Sequence, residues 1–364
     1  MENNQLSLFN TYDESKKEHI WKLSDLNKIE KKDIKVFSTF ACGGGSSMGY
    51  KLNGCDVIGC CEIDSKINKI YNANFKPKYN FLMDLRDFNK LEDIPQELYN
   101  IDILDGSPPC SLFSMSGIRE EGWGKEKRFR EGQKLQTLDD LFFVFLDTVE
   151  KLKPKIVIAE NVEGMILGKA FEYVQKVNKR FLDLGYKVQF KLLDSSTMGV
   201  PQKRRRVFFI ANRIGLEEID LTFNYKPITY GEIKRGNGDK PNKNTETFRL
   251  LQYAKPNMKC FADIKESLGE KRSWFNTKIV WENDIFPTIR AGSPDYFRGE
   301  EKERVSKEDI ITCSTFPQDY NFLSDNIYNI TYICGMSVPP LMMKKIVERL
   351  IKKIQEQNID LTKF

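Results

Sequence analysis

The chain presents a thiol in a place where a thiol could act. Cys110 closes the string Ser107-Pro108-Pro109-Cys110, and an ionised cysteine is a strong covalent nucleophile. The apolar run over residues 101–104 reads as a short buried strand. The two prolines can continue neither a sheet ladder nor a helix, so they hold the chain stiff and extended beyond it. Cys110 is thereby predicted at the carboxyl edge of a sheet, where open α/β sheets carry their chemistry. Cysteine is more commonly just a small buried residue, so the reading depends on what accompanies it. The whole chain has 1 histidine, His19, in a charged segment. That argues against Ser-His-Asp and Cys-His mechanisms and leaves carboxylates, lysine or tyrosine as acids and bases.

A second string, Phe40-Ala41-Cys42-Gly43-Gly44-Gly45, joins a predicted strand to a predicted helix. Glycines let a ligand approach the backbone, and the helix start offers unpaired N–H groups. Glu62 follows about 20 residues later at the end of the next strand, where a carboxylate can accept both hydroxyls of a ribose. Asp84, after the apolar Phe81-Leu82-Met83, can accept from an adenine amino group. The GxGxxG spacing of dinucleotide enzymes is absent. S-adenosylmethionine, which has no pyrophosphate to cradle, fits this turn better.

The elements that must position these groups alternate. Strands are predicted over 35–40, 56–61, 101–104, 156–159, 188–192 and 207–211. Helices are predicted over 46–52, from Asp64 onward, over 138–152, and over 171–184. Leu138, Leu141, Phe142, Phe145, Val149 and Leu152 recur at helical spacing until Pro154 stops them. Such alternation predicts an α/β protein with a doubly wound, mostly parallel sheet. It fades after Asn212. Four segments are expected: a flexible head over 1–33, an α/β domain over 34–212, a second, smaller domain over 213–324, and a closing segment over 325–364.

Composition narrows the setting. Of 364 residues, 57 are Lys or Arg and 52 Asp or Glu, a net charge of +5 that is compatible with a nucleic-acid partner. The 8 cysteines are scattered without CxxC or Cys/His spacing, so neither a metal site nor a disulfide framework is expected. Free thiols fit a reducing cytoplasm. No stretch approaches the roughly 20 apolar residues of a membrane span, and the first 15 residues contain no secretory signal.

Taken in order, the motifs resemble those of the DNA (cytosine-5)-methyltransferase family of bacterial restriction-modification type. Pro109-Cys110 with Phe113-Ser114 and Gly117 resembles its nucleophile loop. Glu160-Asn161-Val162 resembles its catalytic Glu-Asn-Val, and Gln202-Lys203-Arg204-Arg205-Arg206 its Gln-x-Arg-x-Arg. Pro287-Thr288-Ile289-Arg290 is similar to the motif that braces the recognition domain, and Gly335-Met336-Ser337-Val338-Pro339-Pro340 to the C-terminal motif that completes the cofactor pocket. The resemblance spans residues 35–350 apart from 213–285. Cys42, Ser111 and Met336 replace a usual glycine, glutamine and asparagine, and Ser38-Thr39 stands where an acidic residue is common.

The resemblance implies a Rossmann-like methyltransferase fold, S-adenosylmethionine as cofactor, and methyl transfer to C5 of a flipped cytosine through a covalent bond from Cys110 to C6. It gives Glu160 the ring N3 and exocyclic amine, and the Arg204/Arg206 pair the region of O2 and the nucleophile loop, with O2 assigned to Arg204. It places Phe40, Gly43, Gly45, Glu62, Ile63, Asp84, Leu85, Ser107, Pro109, Leu141, Met336 and Ser337 at the cofactor. Residues 116–134, with Trp123, look like the loop that closes over the base. Residues 213–285 carry Arg235, Arg249, Lys271, Arg272 and Trp274, suited to DNA contacts.

Double-stranded DNA is the expected partner, with a cognate restriction endonuclease acting on the same site and no membrane. Gln5-Leu6-Ser7-Leu8-Phe9 resembles the short peptide by which bacterial replication and repair proteins bind the sliding clamp. Three alternatives stay open: a tRNA cytosine-C5 methyltransferase, a non-catalytic DNA-binding relative, and an adenine-N6 methyltransferase, for which position 110 should be aromatic.

Overall fold

The computed structural model of the chain describes residues 17–109, 140–292 and 294–364. These form two compact units. The larger holds Ser24–Asp194, Arg205–Thr222 and Met343–Phe364; the smaller holds the described residues up to Leu23 together with Ser195–Arg204 and Phe223–Met342.

The larger unit is built on a seven-stranded sheet. Its elements run β1 (Lys35–Thr39), α1 (Gly45–Lys51), β2 (Asp56–Glu62), α2 (Ser65–Phe75), β3 (Tyr79–Leu82), α3 (Leu85–Lys90), β4 (Ile103–Gly106), α4 (Leu141–Leu152), β5 (Ile156–Val162), α5 (Phe171–Asp183), β6 (Lys187–Asp194) and β7 (Arg205–Asn212). The strand order is β3-β2-β1-β4-β5-β7-β6. The first five are parallel neighbours, and β7 runs antiparallel between β5 and β6. The chain is thus the expected doubly wound, mostly parallel α/β fold.

The order reverses direction between β1 and β4, and a doubly wound sheet opens a crevice at that switch point, beyond the strand ends. The glycine turn leaves β1 there, and Ser107-Pro108-Pro109 leaves β4 there. Covered on both faces, these strands are nearly continuous apolar runs. Phe37 stacks on Phe88 at 5.5 Å within a core that also holds Phe145, Phe181 and Phe209.

Local signals explain the helix ends. The Asp64 carboxylate accepts from the N–H groups of Lys66 and Ile67 and so caps α2. Lys153 ends α4 in a left-handed conformation just before Pro154. The strands are longer than their apolar runs suggest. β5 continues through Glu160 to Val162 because Glu160, Asn161 and Val162 pair with Phe208, Val207 and Arg206 of β7.

The smaller unit contains α6 (Tyr230–Ile233), α7 (Glu246–Leu251), α8 (Phe261–Ser267), β8 (Lys278–Val280), β9 (Tyr296–Arg298), β10 (Glu303–Arg304), α9 (Lys307–Cys313) and α10 (Ile327–Met336). Strands β8 and β9 are parallel, β9 and β10 antiparallel. One core gathers Leu250, Leu251, Phe261, Trp281 and Phe297. Beside it the buried Arg298 donates to Asp309, Glu303 and the Tyr230 hydroxyl; a buried cation needs such compensation. The end of the expected flexible head is anchored here: Trp21 is buried and its indole donates to the Thr315 carbonyl at 2.8 Å. The expected boundary after residue 212 falls inside the larger unit, which runs on to Thr222. Helix α11 (Pro340–Glu356) follows. Among the described residues no helix is long and apolar enough to cross a membrane.

Candidate active site

The turn after β1 is held in a conformation that few residues adopt. Phe40, Cys42 and Gly44 have φ of 51°, 46° and 74°, the left-handed region. At Gly44 a side chain is excluded twice, by that φ and by the Phe75 ring, 2.3 Å from where a Cβ would sit. Glu62, at the end of β2, secures the turn. Its Oε2 accepts from the Cys42 N–H and its Oε1 from the Asp64 N–H, both at 2.9 Å. Burial raises the Glu62 carboxyl above its ordinary range, and these backbone donors oppose that rise.

An open cavity of about 270 Å³ lies beside the turn. Phe40, Cys61, Glu62, Ile63, Met83, Asp84, Leu85 and Leu141 line it. Six of the twelve residues predicted at the cofactor are therefore wall residues: Phe40, Glu62, Ile63, Asp84, Leu85 and Leu141. Gly43 and Gly45 belong to the turn without lining the cavity. Ser107 and Pro109 lie on the loop after β4. Met336 and Ser337 end α10 in the smaller unit, where the Ser337 hydroxyl donates to the Ile333 carbonyl at 2.8 Å. Cys61 and Met83 also line the cavity and were not predicted. Each immediately precedes a predicted carboxylate, at the end of β2 or just after β3, which is the signal that could have found them.

The donor set fits S-adenosylmethionine. Aromatic and aliphatic walls suit a purine, and two carboxylates offer acceptors for ribose hydroxyls, an amino group and a positive sulfonium. No wall residue is cationic, which would be wrong for a pyrophosphate. Asp84 caps α3 through the Arg86 N–H and pairs with the Arg86 guanidinium at 3.2 Å.

On the other side of the switch point, Gly106 ends β4 where only a glycine fits, since a Cβ would lie 2.4 Å from the Phe145 ring. The next residues are gripped by β5: Asn161 Nδ2 donates to the Pro108 carbonyl at 3.2 Å, and its Oδ1 accepts from the Val162 N–H at 2.8 Å. The Asn of the Glu-Asn-Val string thus holds the base of the nucleophile loop. Cys110 itself, the loop over 116–134 and the string over 5–9 lie outside the described residues.

Glu160 meets an arginine. It stands opposite Phe208 in the β5–β7 ladder, so Arg206, two residues away, is its diagonal neighbour on the same face. Arg206 Nε lies 2.8 Å from Glu160 Oε1, with the two side chains only 16% and 11% exposed. Arg204 is employed elsewhere. It belongs to the smaller unit, where its two terminal nitrogens donate to the Ile289 and Gly335 carbonyls, both at 3.0 Å. The two arginines grouped by the sequence reading are therefore separated in role: Arg206 faces Glu160, and Arg204 binds together the Pro-Thr-Ile-Arg and Gly-Met-Ser strings.

A further carboxylate lies under the site. Asp105 in β4 is buried, accepts from the Ser38 hydroxyl at 2.8 Å and the Tyr50 hydroxyl at 3.2 Å, and is pushed up to about 7 by that burial. Among the described residues no group of three or more His, Cys, Asp and Glu could hold a metal ion.

The family model for "C-5 cytosine-specific DNA methylase" matches residues 34–352. The chain is 27% identical to the Type II methyltransferase M.Sau96I of Staphylococcus aureus, over 96% of this chain and 82% of the relative. It is 26% identical to the Type II methyltransferase M1.HphI of Haemophilus parahaemolyticus, over 88% of this chain and 87% of that protein. A putative DNA modification methyltransferase encoded within an Escherichia coli prophage shares the fold at a TM-score of 0.61 and 18% identity, covering 89% of this chain and all of that one. Spodoptera frugiperda DNMT2 does so at 0.61 and 16%, covering 88% of this chain.

Proposed function

Since this chain belongs to the C-5 cytosine-specific DNA methylase family, and so is a DNA cytosine-5 methyltransferase that uses S-adenosylmethionine, we propose how its own residues divide the work. Cys110 adds to C6 of the target ring. Its sulfur forms the new bond, and the electrons of the C5–C6 double bond pass toward C5 and the N3–C4 side of the ring. Glu160 meets N3 and the exocyclic amine at that moment. Arg206, fixed to Glu160 Oε1, stabilises charge developing at O2. This moves the O2 role from Arg204 to Arg206, because Arg204 spends both terminal nitrogens on backbone carbonyls. S-adenosylmethionine supplies an electrophilic methyl group at a sulfonium; Glu62 and Asp84 would bind its ribose and adenine. Once C5 carries the methyl group, loss of the C5 proton to a base restores the double bond and expels the Cys110 sulfur.

The observation that carries this reading is the Glu160–Arg206 pair on the strand beside the one that leads into Cys110. Its test is trapping on a duplex with 5-fluorocytosine at the target, where C5 has no proton to lose. A covalent protein–DNA band that requires cofactor and disappears in Cys110→Ala is expected. A band of equal strength in that variant would sink the assignment.

The restriction-modification role follows from similarity to Type II methyltransferases. A partner endonuclease cutting the same site would make methylation protective, and genomic DNA as substrate places the enzyme in the cytoplasm at the nucleoid. Bisulfite sequencing of a genome exposed to the enzyme would give the site, and DNA from those cells should resist that endonuclease. The 34–212 and 213–324 divisions are proposed as catalytic and target-recognition domains, with 325–364 completing the former. The string over residues 5–9 is proposed to bind the sliding clamp; a pull-down that retains Leu8→Ala, Phe9→Ala as well as wild type rejects it.

A further inference from the structure

Five residues of the smaller unit were candidates for DNA contact, and their surroundings separate them. Arg235 is used internally: its N–H donates to Asp309, and its carbonyl accepts from Arg298. Arg249 is clamped between Glu246 and Glu270, both at 2.6 Å. Arg272 pairs with Asp263 at 3.0 Å and Glu266 at 3.4 Å. Arg249 and Arg272 are thus met by the protein's own acids, while the Arg235 guanidinium donates to the Gln318 side chain at 3.4 Å. Lys271 differs, being exposed and without an ion pair among the described residues.

Next to it, two large aromatic side chains point into solvent. Trp274 is 42% exposed and Phe275 51% exposed. Trp274 has φ of 63°, an outlying conformation for a bulky residue that persists only where its surroundings enforce it. They do so from three sides. The Thr277 N–H donates to the Trp274 carbonyl at 3.2 Å. The Phe261 ring stacks on the indole at 6.0 Å and 14°. Arg290 Nη2 donates to the Asn276 carbonyl at 2.6 Å. A turn so braced loses little freedom on binding, which favours contact through rigid aromatic anchors.

We propose that the turn Ser273-Trp274-Phe275-Asn276 is a sequence-reading element of this methyltransferase, with Trp274 and Phe275 against base edges in a groove of the duplex and Lys271 on a neighbouring phosphate. The inference rests on DNA being the substrate. Aromatic and apolar side chains discriminate bases through thymine methyl groups and step deformability, whereas a phosphate contact carries no sequence information. Duplex DNA is favoured over a protein partner because Lys271, beside the turn, is an exposed cation without an ion pair among the described residues.

The experiment measures binding of the full-length protein to a duplex with its mapped site and to duplexes bearing single substitutions, across a salt series. Phe275→Ala is the primary variant, since this half-exposed ring can be truncated with little loss of core; Trp274→Ala is the second. Both should lower discrimination by about tenfold or more at one or two base positions. Lys271→Ala should weaken all duplexes alike and reduce the salt slope by about one. Tyr253→Ala, equally exposed but outside the turn, should change neither. Aromatic variants that keep wild-type discrimination overturn the proposal, as does a change confined to oligomeric state. Wild-type protein that fails to bind DNA at all would overturn the DNA reading together with the turn.

Discussion

Arg206 Nε lies 2.8 Å from Glu160 Oε1 across two antiparallel strands. The pair sits beside the strand whose exit leads to Cys110. The contact orients a carboxylate and supplies a planar cation at the same point, which is what an electron-rich, ring-centred intermediate needs. It also leaves the second Glu160 oxygen for the substrate.

Arg206→Ala is therefore expected to lower the methylation rate by about 100- to 1,000-fold in single-turnover assays, the range found for loss of one charge-stabilising donor. Arg206→Lys should recover little, because an ammonium cannot reproduce a planar fork. Cofactor binding, followed by calorimetry, should be unchanged in both. A rate near wild type in Arg206→Ala would return the O2 role to another residue.

Arg204→Ala should act on stability. It strips the Ile289 and Gly335 carbonyls of their charged donor in a buried setting. An unsatisfied buried acceptor costs about 1–3 kcal/mol, so urea unfolding followed by near-ultraviolet dichroism should lose several kcal/mol. A variant of undiminished stability and impaired trapping would contradict this division of labour.

Glu62→Gln should weaken S-adenosylmethionine binding by about 10- to 100-fold, the consequence of losing charge-assisted bonds of about 1.5–3 kcal/mol. The loss should appear in KM for the cofactor, with the rate at saturation closer to wild type. If instead KM held and only the maximal rate fell, Glu62 would act on the turn alone.

Asp105 predicts a pH effect. Its carboxyl is raised from 3.8 to about 7, chiefly by burial, with the Ser38 and Tyr50 hydroxyls opposing and Glu160 adding to the rise; Tyr71 also feels its charge. A carboxyl raised in the folded state binds its proton more tightly there than in the unfolded chain. Its contribution is fully present below about pH 4 and is lost as pH rises through about 7. The loss amounts to at most roughly 4 kcal/mol. Asp105→Asn should remove that slope, which denaturant titrations between pH 5 and 8 would register as a flatter profile.

The fold was legible because its signals are local. Strand and helix periods alternate along the chain, and Asp64 and Lys153-Pro154 mark ends through their own chemistry. Glu62 and Asp84 were legible as cavity walls for the same reason: Glu62 ends β2 and Asp84 follows the apolar Phe81-Leu82-Met83, both at the edge where a doubly wound sheet opens. Cys61 and Met83 were not, since an apolar residue before a carboxylate looks like ordinary strand. The Asp105 network was hidden because Ser38 and Tyr50 are 67 and 55 residues away.

Most of the element order, the glycine turn and the carboxylates Glu62 and Asp84 are written within a few neighbouring residues; β3 and α3, four and six residues long, carry too short a period to be read that way. Which of Arg204 and Arg206 faces Glu160 is set by tertiary structure. They differ by two positions and have identical chemistry, so spacing cannot separate them. The strand begins at Arg205, which puts Arg206 on the ladder face it shares with Glu160. Arg204 falls before it, and its partners are carbonyls 85 and 131 residues further along the chain. The acceptor that claims a buried guanidinium is set by what packs around it, and that depends on distant segments meeting in space.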